Sequence, residues 1–315
     1  MFSDRLKNYA ERRCYSEAVL GELRDILADT LAGEDILLTT NGSFARREAC
    51  PLSDLDFFII CRSGDEQRVQ TLREKVLPHI ARVVPKPPAV GGAFATVEAL
   101  DTMLANIGGQ HDPNDKITRR MLFLLEGEWL FNEPFFRHAR ERLLRRYVRS
   151  TMSPDKIARF LLNDVIRYYR TISVDFEHKT TEAEKPWGTR YIKLVFPRKL
   201  LYFSGILAVA ETRDLPVPDK LDRLASLLDL PMVERIHQVC GDAALDALSL
   251  YDDFLGAFAQ PETRATLDRT TEADRETSPV SRALKDRSMD FTVSLHELLG
   301  RTYGADHPIH LALFA

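Results

Sequence analysis

The chain has 315 residues, of which 44% are hydrophobic and 29% charged, proportions that are ordinary for a globular protein with a sizeable core. Its net charge of -4 and pI near 6.1 argue against a long nucleic acid as partner, because proteins that grip nucleic acid are usually more basic. No apolar run reaches the roughly 20 residues of a membrane helix, and the charged N-terminus predicts no secretory signal, so we expect a cytoplasmic protein without a membrane partner.

The first part of the chain alternates between helical and strand patterns. Helical periodicity predicts an amphipathic helix over residues 4–31, and an apolar run predicts a buried strand at about 36–40. A second buried strand is predicted at about 54–61, after a turn and a short helix. A helix over 66–84 and a strand over 92–97 complete this region. The alternation predicts a small α/β domain with a mixed sheet.

Strand patterns are absent from the rest of the sequence. Helices are predicted over residues 119–130, 134–149, 154–172 and 190–212, with further helical segments up to residue 300. Since the length exceeds that of a usual single domain, we predict two domains. The predicted fold class is α+β, with the sheet in residues 1–135 and an all-helical domain in residues 136–315.

The segment that bears chemistry is Gly42-Ser43, then a ten-residue spacer, then Asp54-Leu55-Asp56. Side chains alternate along a strand, so Asp54 and Asp56 are predicted to share one side while Leu55 enters the core. Two such carboxylates can share a pair of Mg²⁺ ions roughly 4 Å apart. Ser43 suits the start of a short helix whose free N–H groups would face a phosphate. The alternative, a polar surface hairpin, fits less well because four apolar residues follow Asp56.

The wider run carries a family resemblance. It consists of Gly42-Ser43-Phe44-Ala45-Arg46-Arg47-Glu48 and Pro51-Leu52-Ser53-Asp54-Leu55-Asp56. It resembles the nucleotidyltransferase superfamily that includes DNA polymerase beta, and most of all its bacterial signalling branch of PII protein uridylyltransferases and related uncharacterised nucleotidyltransferases. The resemblance implies that Asp54 and Asp56 bind two Mg²⁺ ions and that Gly42 and Ser43 contact a nucleoside triphosphate. Arg46 and Arg47 could assist, but their direction is not readable from the sequence.

A third carboxylate often completes the metal site of this superfamily. Glu98, at the end of the strand predicted over 92–97, is the candidate for that ligand. The alternative is that Glu98 is a solvated residue at a strand end.

A second, partial resemblance lies in the predicted helical domain. Lys185-Pro186-Trp187-Gly188-Thr189-Arg190 is similar to the Lys-x-Gly-Gly-Leu-Arg region of PII uridylyltransferases, with Trp-Gly in place of Gly-Gly. Arg190 and Lys193 lie three residues apart, so both would stand on one helical face and could stabilise a triphosphate. The alternative is a solvated basic face.

Other polar clusters favour structural roles. The arginines between residues 137 and 149 are more often solvated or paired on a helix than used for binding. His111-Asp112 lacks the further ligands of a metal hydrolase. The four cysteines show no metal-ligand spacing and suit a reducing compartment.

Together these patterns predict an enzyme that moves a nucleoside monophosphate from a triphosphate to a hydroxyl of an unidentified protein or small-molecule acceptor and releases pyrophosphate. Two alternatives stay open: a nucleotide-binding regulatory module without catalysis, and an oligonucleotide synthase.

Overall fold

A computed structural model of the protein describes residues 2–62, 66–86, 98–182 and 186–314. The chain forms two compact units, which we call the sheet unit and the helical unit. The sheet unit comprises residues 11–153 and 216–231, and the helical unit comprises residues 1–10, 154–215 and 232–315. Residues 136–153, which the sequence assigned to the helical domain, thus group with the sheet unit. The chain returns to the sheet unit over residues 216–231.

The strands and helices have the following bounds in chain order. The strands are β1 (Ile36–Asn41), β2 (Asp56–Cys61), β3 (Glu98–Ala99) and β4 (Glu128–Phe131). The helices are α1 (Phe2–Arg5), α2 (Lys7–Thr30), α3 (Gly42–Ala45), α4 (Glu66–Val83), α5 (Leu100–Leu104), α6 (Asn114–Leu125), α7 (Glu133–Tyr147), α8 (Arg159–Thr181), α9 (Trp187–Lys193), α10 (Lys199–Ala210), α11 (Val217–Leu228), α12 (Met232–Cys240), α13 (Leu245–Ala259), α14 (Pro261–Arg269), α15 (Pro279–Thr302) and α16 (Pro308–Ala312).

The sheet is small and mixed, with strand order β3-β2-β1-β4. β1 is antiparallel to both β2 and β4, whereas β3 runs parallel to β2. A small sheet joined to a majority of helices agrees with the predicted α+β class. The strand predicted over 92–97 lies outside the described residues.

Both faces of β1 are buried, which is why its sequence is a continuous apolar and threonine run. One face joins a core cluster in which Leu38 and Ile59 pack with Leu27 of α2 and Ile80 of α4. On β2, Phe58 makes an edge contact with Phe123 of α6, at 6.4 Å between ring centroids. The candidate acidic residues therefore begin a strand that is fixed from two sides.

The prediction of a helix over 119–130 is wrong at its end. α6 stops at Leu125, and Glu128–Phe131 forms β4, which pairs with β1. Gly127 marks the break, because a Cβ at this residue would lie 2.4 Å from the carbonyl oxygen of Phe123. The expectation that strands end with residue 97 fails for the same reason.

The helical unit is organised around α10, whose side chains are buried almost all round. A π-helical turn over Leu194–Arg198 joins α9 to α10, and Phe196 in this turn stacks on Phe254 of α13 at 4.5 Å. Within the described ranges, no helix has the length and apolar character that crossing a membrane would require.

Candidate metal and phosphate site

The two aspartates lie where the sequence puts the start of the second strand. Asp56 is the first residue of β2 and lies directly opposite Asn41, the last residue of β1. Leu55, Phe57 and Ile59 all belong to the core cluster, so alternation assigns Asp56 to the other face of the sheet. Asp54 precedes β2, so its predicted position on the side of Asp56 stays a prediction. Both aspartates are half-buried.

The Gly42 turn brings backbone against the Asp56 carboxylate. Gly42 has a φ of +74°, a left-handed conformation that favours glycine. A Cβ built at Gly42 would lie 3.5 Å from Asp56 Oδ2. Ser43 is half-buried, and its carbonyl accepts the Glu48 N–H at 2.7 Å. Among the described residues, no side-chain hydrogen bond is found for the Ser43 hydroxyl.

Glu126, which the sequence did not single out, reaches the turn from the end of α6. Its side chain is fully buried. The Gly42 N–H donates to Glu126 Oε1 at 3.1 Å, and Arg46 Nη1 donates to Oε2 at 2.7 Å. The guanidinium of Arg46 also donates through Nε to Glu48 Oε2 at 2.8 Å. The Gly42 amide, predicted to contact a triphosphate, is thus already bonded to a carboxylate.

Arg47 is bound by a separate pair of acids. It has a φ of +62°, and its guanidinium reaches Glu128 Oε2 at 2.6 Å and Glu17 Oε1 at 2.8 Å. Burial alone would lower the pKa of Arg47, but the charges of Glu128 and Glu17 and the hydrogen bonds to them outweigh it and hold the pKa above its ordinary value. The side chains of Arg46 and Arg47, whose directions the sequence could not settle, are therefore buried against acids of the same unit and fix the turn.

Asn41 is the last residue of β1 and directly precedes the Gly42 turn. It is 1% exposed, and its Nδ2 donates to the Leu122 carbonyl oxygen at 2.9 Å. Within the described part of the chain, its buried Oδ1 has no hydrogen-bond partner. The amide ties the start of the turn to α6, the helix that also delivers Glu126.

The donor set suits Mg²⁺. This ion is usually held by one or two carboxylates together with substrate phosphates and water, and half-buried Asp54 and Asp56 can supply those carboxylates. No cluster of three or more His, Cys, Asp or Glu side chains with metal-binding proximity occurs in the described residues. The side chain of Glu98 lies outside them, although the Glu98 backbone pairs with Ile60 of β2. Its predicted role as a third ligand stays a prediction.

Arg190 and Lys193 belong to the helical unit, on α9. Arg190 Nη1 donates to the Pro186 carbonyl oxygen at 3.0 Å, and Lys193 is exposed. Their predicted contact with a triphosphate stays a prediction.

Gly188 gives the partial motif around α9 a structural role. A Cβ at Gly188 would lie 2.4 Å from the Leu267 carbonyl oxygen, and the Gly188 N–H donates to the Thr270 carbonyl oxygen at 3.1 Å. The glycine of the Trp-Gly pair is therefore required where α9 packs against α14. Lys185 lies outside the described residues.

The arginine-rich helix α7 is largely paired. Arg137 bonds to Glu133 and Asp229, and Arg145 bonds to Glu141. Arg140 also bonds to Asp229 and is buried, and this burial lowers its pKa. These contacts favour the structural interpretation of the helix.

Asp112 has a structural role as well. Its two oxygens accept from Arg120 Nη1 and Nη2 at 2.9 and 2.8 Å, and both side chains are fully buried. Arg120 Nε donates to the Tyr147 hydroxyl at 2.8 Å. Asp112 thus anchors its loop to α6, and Arg120 links α6 to Tyr147 of α7.

Sequence reasoning missed Glu126 because the glutamate is 84 positions from Gly42 and lies inside a predicted helix. The available signal was Gly127, a residue that breaks helices and that directly follows this acid.

A scan against models of known protein families and a search of curated proteins both find no match to this chain.

Proposed function

We propose that this protein is a Mg²⁺-dependent nucleotidyltransferase that moves a nucleoside monophosphate from a nucleoside triphosphate to a hydroxyl acceptor. The observation that carries the proposal is the closeness of the Asp56 carboxylate to the Gly42 turn, 3.5 Å from the position of a Cβ there. This arrangement puts a cation ligand next to a turn of the type that holds phosphate. Asp54, two residues before Asp56, would add the second carboxylate.

Each residue has a defined task in this reaction. Asp54 and Asp56 would hold the metal, which when bound neutralises phosphate oxygens and lowers the pKa of an attacking hydroxyl. The hydroxyl of Ser43 would donate to the terminal phosphates and keep the triphosphate in register with the aspartates. The acceptor hydroxyl would lose its proton to water, and its oxygen would bond to the α-phosphorus as the bond from that phosphorus to the bridging oxygen of the β-phosphate breaks, so that pyrophosphate leaves.

The architecture follows from the resemblance. The sheet unit would be a polymerase-beta-like catalytic domain, and the helical unit would be a second domain whose Arg190 and Lys193 stabilise the triphosphate. Neutralising Arg190 and Lys193 should raise the KM for the nucleotide if they do so.

The first test is pyrophosphate release with Mg²⁺ and ATP or UTP, together with calorimetric titration of the same nucleotides. We expect Asp54→Asn and Asp56→Asn to abolish Mg²⁺-dependent release, because each removes a ligand charge without changing the shape of the side chain. Asp25→Asn, at an exposed site on α2, is the matched control and should leave release unchanged. Equal release by both site variants and wild type would refute the metal role.

Labelled nucleotides identify the acceptor. Label on a protein band indicates a protein hydroxyl, and label on an added small molecule indicates a small acceptor. A product made of nucleotide alone indicates an oligonucleotide synthase.

A nucleotide-binding module without turnover is the competing function. It is motivated by the third carboxylate, whose candidate Glu98 has its side chain outside the described residues. Two like charges at Asp54 and Asp56 argue against it, since a site that no longer binds metal gains nothing from their repulsion. Nucleotide binding without pyrophosphate release, for every acceptor tried, would favour the module.

A further inference from the structure

Glu126 is a buried acid that the proposed reaction does not use. Its carboxylate joins the Gly42 amide to the Arg46 guanidinium, through Oε1 at 3.1 Å and Oε2 at 2.7 Å. A carboxylate buried in this way is stable only when it is paired and hydrogen-bonded, and here both oxygens are used. We infer that Glu126 is a positioning residue, which fixes the Gly42 turn so that Ser43, and not Gly42, offers its groups to the triphosphate. The inference rests on the proposed function.

Electrostatics separate the roles of Gly42 and Ser43. A phosphate oxygen that accepted the Gly42 N–H would lie within hydrogen-bonding reach of the Glu126 carboxylate. Repulsion between like charges is strong in a buried site, where the effective dielectric constant is low. The Gly42 N–H therefore remains with Glu126 while nucleotide binds. The phosphate contacts are left to the hydroxyl and N–H of Ser43.

The hydrogen bond from the Gly42 N–H to Glu126 also fixes the backbone next to Asp56, a proposed metal ligand. Gly42 is in the left-handed region at φ +74°, beside Asp56 Oδ2. A hydrogen bond from the same residue's N–H to a buried acid holds that conformation in place. Arg46 then balances the charge of Glu126, and its second bond to Glu48 ties the far end of the turn to the same network.

Glu128 offers a matched control. It is two residues away in the same segment and also pairs with arginines, Arg47 at 2.6 Å and Arg24 at 2.8 Å. No bond from Glu128 to the Gly42 amide occurs in the described contacts of that amide. Glu128→Gln therefore removes the charge of an acid that pairs with the turn and leaves the proposed positioning bond intact.

The test measures amide exchange at Gly42 by NMR, and the KM and kcat of pyrophosphate release with Mg²⁺ and ATP or UTP. In Glu126→Ala, exchange at Gly42 should be about tenfold faster, because a hydrogen bond to a charged group is lost. The KM should rise about tenfold, with a smaller change in kcat. Glu126→Gln keeps an acceptor oxygen but loses the charge, so it should rescue part of both effects, with exchange at Gly42 about threefold faster than in wild type. Glu128→Gln should leave exchange at Gly42 unchanged.

Each outcome decides one of the two ideas. If Glu126→Ala does not fold, Glu126→Gln compared with Glu128→Gln carries the test, and equal exchange at Gly42 in the two would overturn the inference. Faster exchange with an unchanged KM would also overturn it, since the bond would then have no role in the reaction. If wild type neither binds nor turns over triphosphate, the proposed function fails, and the exchange result alone decides whether Glu126 holds the turn.

Discussion

Gly42→Ala separates the conformational role of the turn from its role in the site. The substitution forces an L side chain into φ +74°, which costs about 1–2 kcal/mol. Steric exclusion adds little, because the new methyl group would lie 3.5 Å from Asp56 Oδ2, an ordinary van der Waals distance. For a unit of the size of the sheet unit, this cost corresponds to a fall in Tm of roughly 2–8 °C. The fold should therefore survive.

Gly33→Ala is the control for that strain. Gly33 has a φ of +82° in the same unit, and no atom lies within 4 Å of the position of its Cβ. Both substitutions should lower the Tm by similar amounts. The methyl group at Gly42, however, would occupy space beside the Asp56 carboxylate that a hydrated cation needs. We expect only Gly42→Ala to weaken Mg²⁺-dependent nucleotide binding.

Thermal unfolding followed by circular dichroism gives the Tm, and calorimetric titration with Mg²⁺ and nucleotide gives the affinity. Equal affinity in Gly42→Ala and Gly33→Ala, at equal loss of stability, would refute the assignment of the Gly42 turn to the site. A much larger fall in Tm for Gly42→Ala would show that sterics, and not backbone strain, dominate at this residue.

Two further predictions concern stability. Asp112→Asn should lower the free energy of unfolding by about 3–5 kcal/mol in urea titrations, because it leaves a buried guanidinium without its counter-charge. Asp115→Asn, which removes an exposed carboxylate from its pair with Arg119, should cost less than about 1 kcal/mol. Equal losses in the two variants would contradict the burial of the Asp112–Arg120 pair. Gly188→Ala should lower the free energy of unfolding by about 1–3 kcal/mol, because the new methyl group would clash with the Leu267 carbonyl oxygen. Gly300→Ala, on α15 with no described atom near the position of its Cβ, should stabilise the protein by up to about 1 kcal/mol. An unchanged stability of Gly188→Ala would contradict the close packing of α9 on α14.

Local sequence patterns predicted the strands that carry the aspartates. Leu55, Phe57 and Ile59 lie at every second position and all join the core cluster, so the two-residue period of a strand was enough to predict which side they face. β4 was missed because Glu128-Trp129-Leu130-Phe131 is short and follows a helical pattern, and the break at Gly127 was not used to end that pattern. Pairing with β1 makes it a strand, and that contact is not local.

The polar contacts of the site were beyond local reasoning for a related reason. A sequence shows that Arg46 and Arg47 are charged, but not which acids they meet. Arg46 meets Glu126 from the end of α6, and Arg47 meets Glu17 from α2. Such pairs depend on tertiary structure, which one sequence does not encode at any fixed spacing.

The two adjacent arginines fix the polar side of a turn whose Phe44 joins the core cluster. Arg46 and Arg47 are 8% and 7% exposed, and burying unpaired guanidinium groups there would be strongly unfavourable. Arg47 is in the left-handed region, so its side chain leaves the turn toward acids other than those that meet Arg46. Because a buried ion pair adds little net stability over apolar packing, the arrangement gives the turn a unique geometry more than it gives free energy. The proposed metal site would need that geometry, because its ligands would have to be held to within a fraction of an ångström.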